Sequence, residues 1–210
     1  MDFIDADVSA YLRRLTDRFD EPVLQDMEAL AEQRGFPIVG RVVGSTVELL
    51  ARSIGARRVF EMGSGFGFSA YWFARAVGEG GEVTLTDTDP ENARQAEGFL
   101  TRAGVWPRCR FVVGDAMVAL REIPGEFDIV YCDIDKEGYP GAWALARERV
   151  RVGGLYICDN VLWSGKVARD NDEASTVAIR RHNDLIAADP DFDSAIVPTR
   201  DGVMVALRRR

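Results

Sequence analysis

Oxygen-bearing side chains follow two apolar stretches of the chain. Asp133 comes directly after residues 128–132, and Asp159 and Asn160 come directly after residues 155–158. If these stretches are neighbouring parallel strands, their carboxyl ends bring the three side chains together. Two carboxylates and an amide suit a hard cation such as Mg²⁺, Mn²⁺ or Ca²⁺. The alternative is that the acids only cap the helices that follow, but convergence from two strands favours the cation site.

Lys136 lies three residues after Asp133, at the mouth of the same predicted site. The chain contains only one other lysine, Lys166, and every other basic position is arginine. A lysine beside a divalent cation is less easily protonated and can act as a general base. The alternative is an exposed lysine at a helix start, which the scarcity of lysine argues against.

Three closely spaced glycines follow another predicted strand. Gly63, Gly65 and Gly67 form a strand-to-helix turn in which the backbone can approach a ligand closely. The next helix, which contains Ser69, offers its positive end to an anionic group. Asp87 follows the second strand, where an acid can hydrogen-bond a ribose diol. This combination predicts an adenosine-containing cofactor.

The glycine spacing discriminates between two such cofactors. A dinucleotide fingerprint requires a third glycine where Phe68 stands. Glu61, just before the glycines, suits a ligand that carries an ammonium group, which a pyrophosphate lacks. The segment of Asp115 and Ala116 follows the third strand and is placed to meet an adenine ring. These features favour S-adenosylmethionine (SAM) over NAD.

The elements that position these residues alternate along the chain. Residues 1–55 have the spacing of helices and form a predicted helical extension, whereas residues 56–210 alternate short β-branched runs with helical stretches. Strands are predicted at 58–61, 83–86, 110–113, 128–132, 155–158, 195–198 and 203–207, and helices include 116–122, 139–150 and 173–188. The pattern predicts one domain with a doubly wound, Rossmann-like α/β fold. The Asp-Gly pair at 201–202 predicts a closing hairpin, and hence one antiparallel strand in a mostly parallel seven-stranded sheet.

Composition excludes several classes of protein. The net charge of −8 disfavours broad nucleic-acid binding. The single histidine, His182, excludes a zinc site built on several histidines, and the three cysteines lack CxxC spacing. No apolar run reaches the roughly 18 residues of a membrane span, and the acidic amino end lacks the basic start of a secretory signal. We therefore expect a cytoplasmic protein that does not bind membranes.

The sequence resembles the cation-dependent class I O-methyltransferases of the caffeoyl-CoA and catechol methyltransferase type, in their compact microbial branch. The resemblance extends from about Gly35 to Leu207. It depends on four motifs, at residues 37–40, 61–69, 133–136 and 159–165. The last two together are specific, whereas the glycine turn is common to the superfamily.

This resemblance implies roles for individual residues. Asp133, Asp159 and Asn160 would bind the cation, and Lys136 would be the catalytic base beside Asp133. Trp163 would form a wall of the acceptor site and Ser164 would contact the substrate, although relatives often have asparagine at that position. The expected contacts of the cofactor are Val39, Glu61, Gly63, Gly65, Ser69, Asp87, Asp115, Ala116, Asp133 and Asp135.

The expected reaction is direct methyl transfer to a vicinal-diol aromatic such as a catechol. A homodimer is also expected, with the apolar amino-terminal helices supplying its surface. Within the resemblance, methylation of a hydroxylated uridine in tRNA stays open. Two other classes explain less: an NAD oxidoreductase needs the missing glycine, and a non-catalytic nucleotide-binding module leaves the cation ligands unexplained.

Overall fold

The computed structural model describes residues 5–16 and 21–210. Residues 1–4 and 17–20 of the predicted helical extension lie outside the described residues. Before the sheet begins, the described chain forms helices α1 (Ala6–Leu15), α2 (Pro22–Arg34) and α3 (Gly40–Ser53). Helix α2 ends at Gly35, whose positive φ of 59° suits glycine at the end of a helix.

The strands of the described chain form one sheet in the order β3-β2-β1-β4-β5-β7-β6. Their bounds are β1 (Arg58–Met62), β2 (Glu82–Asp87), β3 (Cys109–Val113), β4 (Phe127–Cys132), β5 (Val150–Cys158), β6 (Phe192–Val197) and β7 (Val203–Arg208). Strand β7 runs antiparallel to both of its neighbours, and the other pairs are parallel. The predicted seven-stranded sheet with one reversed strand is therefore confirmed.

Helices connect the parallel strands. They are α4 (Phe68–Val77), α5 (Pro90–Arg102), α6 (Ala116–Glu122), α7 (Tyr139–Ala146) and α8 (Ala174–Ala187). Alternate residues of β1 face opposite sides of the sheet, so Val59 packs in one apolar core and Phe60 in the other. Both faces of the sheet are thus covered, as expected of a doubly wound fold.

The largest errors in the predicted boundaries lie between α7 and β5. The sequence pattern predicts a helix to residue 150 and a strand from 155, but α7 ends at Ala146 and β5 begins at Val150. Val150 is paired with Phe127 of β4, and this long-range pairing overrides the local helical pattern. Gly154 therefore lies inside the strand, where glycine is required because a Cβ would lie 2.6 Å from the carbonyl oxygen of Asp128.

Two further features of the described chain are the environment of the cysteines and the character of its helices. Cys132 and Cys158 are buried and Cys109 is half-buried, and all three thiols are free. Across residues 5–16 and 21–210, no helix has both the length and the apolar character needed to cross a bilayer.

Candidate active site

The glycine turn joins β1 to α4 and lies directly against the end of β4. Gly63, Gly65 and Gly67 all have positive φ, with values of 79°, 49° and 89°. A Cβ at Gly63 would lie 2.4 Å from the carbonyl oxygen of Asp133. Glycine is therefore required both for the backbone conformation and for this close approach.

Glu61 is fully buried immediately before this turn. Neither of its carboxyl oxygens has a hydrogen-bond partner among the described residues. Burial raises the pKa of Glu61 to about 8, and the nearby hydroxyls of Ser69 and Ser64 offset this rise only partly. A buried carboxyl group without a donor is costly, so its position indicates a ligand that brings a donor such as an ammonium group.

Asp87 connects the end of β2 to the same turn. Its Oδ2 accepts a hydrogen bond from the backbone nitrogen of Gly65 at 3.0 Å, and its Oδ1 accepts one from Asp89 at 2.8 Å. The carboxylate therefore orders the glycine turn, and it is half-buried at the edge where a ribose is expected.

The remaining expected cofactor contacts lie at starts of helices or in loops on the same edge. Val39 and Ser69 are buried at the starts of α3 and α4. Asp115 caps α6, which begins at Ala116, because its Oδ1 accepts a hydrogen bond from the backbone nitrogen of Val118 at 2.8 Å. Asp135 is exposed beyond the end of β4.

The predicted cation ligands converge at the ends of β4 and β5, which are paired neighbours through Cys132 and Cys158. The ammonium nitrogen of Lys136 lies 2.9 Å from Oδ1 of Asp133 and 3.0 Å from Oδ1 of Asn160. Asp159, the residue before Asn160, is buried. Its Oδ1 accepts a hydrogen bond from the backbone nitrogen of Asn160 at 2.9 Å.

Electrostatic coupling within this cluster is strong. Burial and the neighbouring Asp133 raise the pKa of Asp159 to about 7, against the opposing charges of Arg200 and Lys136. Burial lowers the pKa of Lys136, but the Asp133 carboxylate outweighs it, so the net direction is upward. The carboxylates of the chain therefore stabilise the ammonium form. Easier deprotonation beside a bound cation, as expected from the sequence, stays a prediction.

The chemistry of this cluster fits a divalent cation. Residues 5–16 and 21–210 contain no group of three histidine, cysteine or acidic side chains that could hold a metal. The predicted ligands are instead the carboxylates of Asp133 and Asp159 and the amide oxygen of Asn160. Asp133 and Asn160 already lie beside the positive charge of Lys136. Hard oxygen donors around a site of positive charge suit Mg²⁺, Mn²⁺ or Ca²⁺.

Trp163 lies beside the same lysine. The Nζ of Lys136 lies 5.7 Å from the centroid of the Trp163 ring, and the Nζ of Lys166 lies 6.0 Å from it. The indole is half-buried, and its Nε1 has no hydrogen-bond partner in the described part of the chain. It therefore offers an apolar surface next to the cluster, and its role as a wall of the acceptor site stays a prediction.

The loop of residues 160–164 has unusual backbone geometry. Non-glycine residues with positive φ occur in the described chain at Asn160 (58°), Trp163 (48°), Ser164 (52°) and Arg200 (53°). The first three lie in this loop, and Arg200 lies in the β6–β7 turn that contacts it. Asp201 of that turn accepts hydrogen bonds from the backbone nitrogens of Ser164 at 2.5 Å and Leu162 at 2.9 Å. These bonds hold the strained loop in place.

The family model described as O-methyltransferase matches residues 15–209. The chain belongs to the O-methyltransferase family. This assignment confirms the resemblance that the motifs indicate, and it makes the protein an enzyme that methylates oxygen.

Individual O-methyltransferases show how far the similarity extends. A catechol O-methyltransferase of Mycobacterium tuberculosis is 35% identical over 198 residues, which cover 90% of each chain. The solved structure of the O-methyltransferase TomG from Streptomyces achromogenes, in complex with SAM, has a TM-score of 0.84 at 27% identity and covers 90% of this chain and 91% of that one. An O-methyltransferase from Bacillus cereus in complex with SAH has a TM-score of 0.83 at 27% identity, with the same coverage.

Two residues of this O-methyltransferase site are missed by sequence reasoning. The hydroxyl of Tyr139 lies 2.7 Å from the Nζ of Lys136 and donates to the carbonyl oxygen of Asp159 at 2.9 Å. Its signal is its place three residues after Lys136, at the start of α7. Asp201 belongs to a turn that indicates only a hairpin, and nothing local reveals that its carboxylate reaches Ser164.

Proposed function

We propose that this O-methyltransferase uses SAM and a divalent cation to methylate one hydroxyl of a vicinal diol on a small aromatic molecule. The observation that carries the proposal is the convergence of Asp133 and Asn160 on the Nζ of Lys136, beside the glycine turn at Gly63. A nucleotide-binding module without chemistry has no need of such a cluster.

Three features support SAM as the methyl donor. When bound, SAM supplies an electrophilic methyl group. Glu61 is a buried carboxyl group without a donor, at the position where the ammonium of the cofactor is expected. The glycine turn keeps GxGxG spacing, with Phe68 at the start of α4, and the similar TomG structure holds SAM.

The cation would be held by Asp133, Asp159 and Asn160. When bound, it supplies positive charge that favours the ionised form of an acceptor hydroxyl. The chain itself holds the ligands rigidly, because Asp159 is buried and the 160–164 loop is bonded to Asp201.

Lys136 is the residue placed to take the proton of the acceptor hydroxyl. Its Nζ is anchored by Tyr139 at 2.7 Å and lies beside both Asp133 and Asn160. Because these partners favour the ammonium form, Lys136 would have to release its own proton to solvent before it could take that of the acceptor, and neutralisation of the carboxylate charge by the cation would favour this release. Trp163 would orient the aromatic ring, and holding the reactants in such geometry supplies much of the acceleration.

The assembly and its location are also proposals. Exposed apolar side chains at Val8, Tyr11 and Leu15 form a stripe along α1, and this stripe supports a homodimer through the amino-terminal helices. Sedimentation at two protein concentrations tests it, and a monomer at both would contradict it. The free thiols at all three cysteines are compatible with the reducing cytoplasm that we propose.

A direct assay tests the proposed function. Purified protein is incubated with labelled SAM, Mg²⁺ and a panel of catechols and hydroxylated tRNA, with and without a chelator. We expect label on catechols only, and none in excess chelator. Full activity in chelator would contradict the cation requirement, and label on tRNA alone would contradict the small aromatic acceptor.

A binding experiment tests the cofactor separately. We expect S-adenosylhomocysteine to raise the melting temperature and NAD to leave it unchanged, because a ligand stabilises only through affinity for the folded state. Equal stabilisation by NAD would overturn the choice of cofactor.

A further inference from the structure

A series of hydrogen bonds runs from strand β5 through helix α8 to the loop that follows β5. The hydroxyl of Tyr156 lies 3.0 Å from Nε2 of His182, and Nδ1 of His182 lies 3.1 Å from Oδ1 of Asn183. The Nδ2 of Asn183 donates a hydrogen bond to the carbonyl oxygen of Val161 at 2.9 Å. We call these four residues the α8 clamp, because they join residue 156 of the backbone to residue 161 through the helix.

The α8 clamp encloses two of the three predicted cation ligands. Asp159 and Asn160 lie between its ends, and Asn160 has a φ of 58°, a conformation that is costly for a residue other than glycine. The backbone nitrogen of the next residue, Val161, donates to the carbonyl oxygen of Gly202 at 3.1 Å, and its carbonyl oxygen accepts from Asn183. Hydrogen bonds on both sides of Val161 therefore hold the strained backbone from which the Asn160 side chain projects.

The chemistry of the partners fixes the direction of each hydrogen bond in the α8 clamp. The carbonyl oxygen of Val161 can only accept, so it faces the NH₂ group of Asn183, and the amide oxygen of Asn183 faces His182. This oxygen also only accepts, so Nδ1 of His182 carries the proton. A neutral imidazole has one N–H group, so Nε2 is left to accept a hydrogen bond from the hydroxyl of Tyr156. The other tautomer would place two acceptors 3.1 Å apart.

The surroundings of His182 keep its ring neutral and in place. Burial lowers the pKa of His182 to about 4, and the hydrogen bond to Asn183 opposes this only partly, so the imidazole is neutral near pH 7. Its ring packs against that of Tyr139, with centroids 5.2 Å apart. Tyr139 in turn contacts Lys136 and the carbonyl oxygen of Asp159. The same imidazole therefore lies behind both the predicted base and the predicted ligands.

We propose that Asn183 is a positioning residue that holds Asn160 in the orientation needed to bind the cation, and that His182, protonated at Nδ1, orients the carboxamide of Asn183. The inference rests on the proposed function, since it concerns the cation ligands, and it extends the site to residues that contact neither cation nor substrate. Groups that orient a metal ligand from outside the coordination shell typically change metal affinity by roughly 10–100-fold when they are removed. The alternative is that the α8 clamp only attaches α8 to the sheet.

The first experiment determines the tautomer of His182 and needs neither cofactor nor cation. Because His182 is the only histidine, a long-range proton–nitrogen NMR spectrum of untagged, ¹⁵N-labelled protein contains one set of imidazole signals. Near pH 7 we expect a protonated Nδ1 and an unprotonated Nε2. Tyr156→Phe should keep this tautomer, because the acceptor at Nδ1 remains. Asn183→Ala removes that acceptor and should move the proton to Nε2, which can then donate to Tyr156.

The second experiment measures the affinity for Mg²⁺ by calorimetric titration with saturating S-adenosylhomocysteine present, together with the affinity for this ligand and the melting temperature. The variants are Asn183→Ala, Asn183→Gln and two controls on the same helix. Thr176→Val removes a buried hydroxyl that has no hydrogen-bond partner among the described residues. Ile186→Val loosens the packing of a fully buried side chain without removing a hydrogen bond.

We expect Asn183→Ala to weaken Mg²⁺ binding by roughly tenfold and to leave the affinity for S-adenosylhomocysteine unchanged. Asn183→Gln keeps a carboxamide, one methylene farther from the backbone, and should recover part of the loss. Thr176→Val and Ile186→Val should keep the Mg²⁺ affinity of the wild type, even where the melting temperature falls. A merely structural role predicts that Asn183→Ala behaves like Ile186→Val, with a lower melting temperature and unchanged Mg²⁺ affinity.

Several results would overturn the inference. A protonated Nε2 in the wild type would contradict the assigned direction of the hydrogen bonds. An unchanged Mg²⁺ affinity in Asn183→Ala, or an equal loss of affinity for S-adenosylhomocysteine, would make Asn183 a structural residue only. If Asn183→Ala does not fold, Asn183→Leu fills the same space without either hydrogen bond and gives the same comparison. A wild type that does not bind Mg²⁺ contradicts the proposed cation, whereas equal Mg²⁺ binding by wild type and variant contradicts this inference alone.

Discussion

The side-chain oxygen of Asn160 lies 3.0 Å from the ammonium nitrogen of Lys136, although the two residues belong to different strand-end segments. The same nitrogen lies 2.9 Å from Oδ1 of Asp133. Lys136 therefore shares the oxygen atoms expected to bind the cation. Its charge and that of a cation compete for the same ligands, and this competition can be measured.

Replacing Lys136 tests whether this residue acts as the catalytic base. Lys136→Ala should lower turnover by roughly 10²–10⁴-fold, the usual range for a positioned acid–base group. It should also tighten Mg²⁺ binding, because a competing positive charge is removed. Lys136→Arg should restore little activity, since a guanidinium does not give up its proton. Rates on catechols of differing acidity and calorimetric titration with Mg²⁺ check both points.

The matched control for this experiment is the other lysine. Lys166 also lies near Trp163, but its ammonium is bonded to Glu173 at 2.6 Å. Lys166→Ala should keep most of the turnover. An arginine variant of Lys136 with nearly full activity would show that this lysine acts only through its charge.

Removal of the cation ligands should abolish cation-dependent turnover. Asp133→Ala and Asp159→Ala each delete one of two carboxylates, whereas Asp172→Ala, at an exposed position, should have no effect. S-adenosylhomocysteine binding should weaken more for Asp133→Ala, because Asp133 follows β4, which is paired with β1 beside the glycine turn, whereas Asp159 follows β5, one strand farther away. If either ligand variant keeps its turnover, and if excess chelator does not reduce that turnover, the cation site is contradicted.

Glu61 should make the stability of the free protein fall as pH rises. Its pKa is about 8 in the folded state against 4.5 for the ordinary side chain. A raised folded pKa means that the stabilising contribution is complete below pH 4.5 and is lost as pH rises towards 8. Glu61→Gln should therefore melt above the wild type at pH 8 and bind S-adenosylhomocysteine more weakly. A variant that binds this ligand as tightly as the wild type would remove Glu61 from the cofactor site.

His182 should make the stability of the protein fall as pH falls. It is buried, with Nε2 3.0 Å from the hydroxyl of Tyr156, and burial lowers its pKa to about 4 from 6.5. Its contribution is present above pH 6.5 and is lost as pH falls towards 4, by at most about 3 kcal/mol. Because His182 is the only histidine, the difference in melting temperature between wild type and His182→Gln should shrink over this interval. A constant difference would contradict the prediction.

Asp201 should act as a positioning residue. Asp201→Ala frees the backbone nitrogen of Ser164, and loss of one hydrogen bond to a charged group should lower kcat roughly tenfold through the displaced 160–164 loop. Asp201→Asn retains an acceptor oxygen and should recover much of this loss. Mg²⁺ affinity should fall with kcat in the alanine variant, whereas unchanged Mg²⁺ affinity would separate Asp201 from the ligand loop.

The sheet and its ligand-binding edge can be predicted from the sequence because their signals are local. Short β-branched runs between helical stretches indicate parallel strands, and glycines after β1 indicate a backbone with positive φ. Asp133 and Asn160 could be expected to meet because the carboxyl ends of neighbouring parallel strands share one edge. The start of β5 could not be predicted, since Val150 joins the sheet only through its pairing with Phe127.

What the sequence determined by itself is the set of elements, the edge at which the chemistry occurs and the types of side chain present there. Only the tertiary structure decided which of these side chains are in contact. Tyr139 anchors Lys136, and Asp201 reaches Ser164. It also decided the direction in which the pKa of Lys136 shifts, because burial and the distance between charges set a pKa, and both depend on contacts between residues that are distant in the chain.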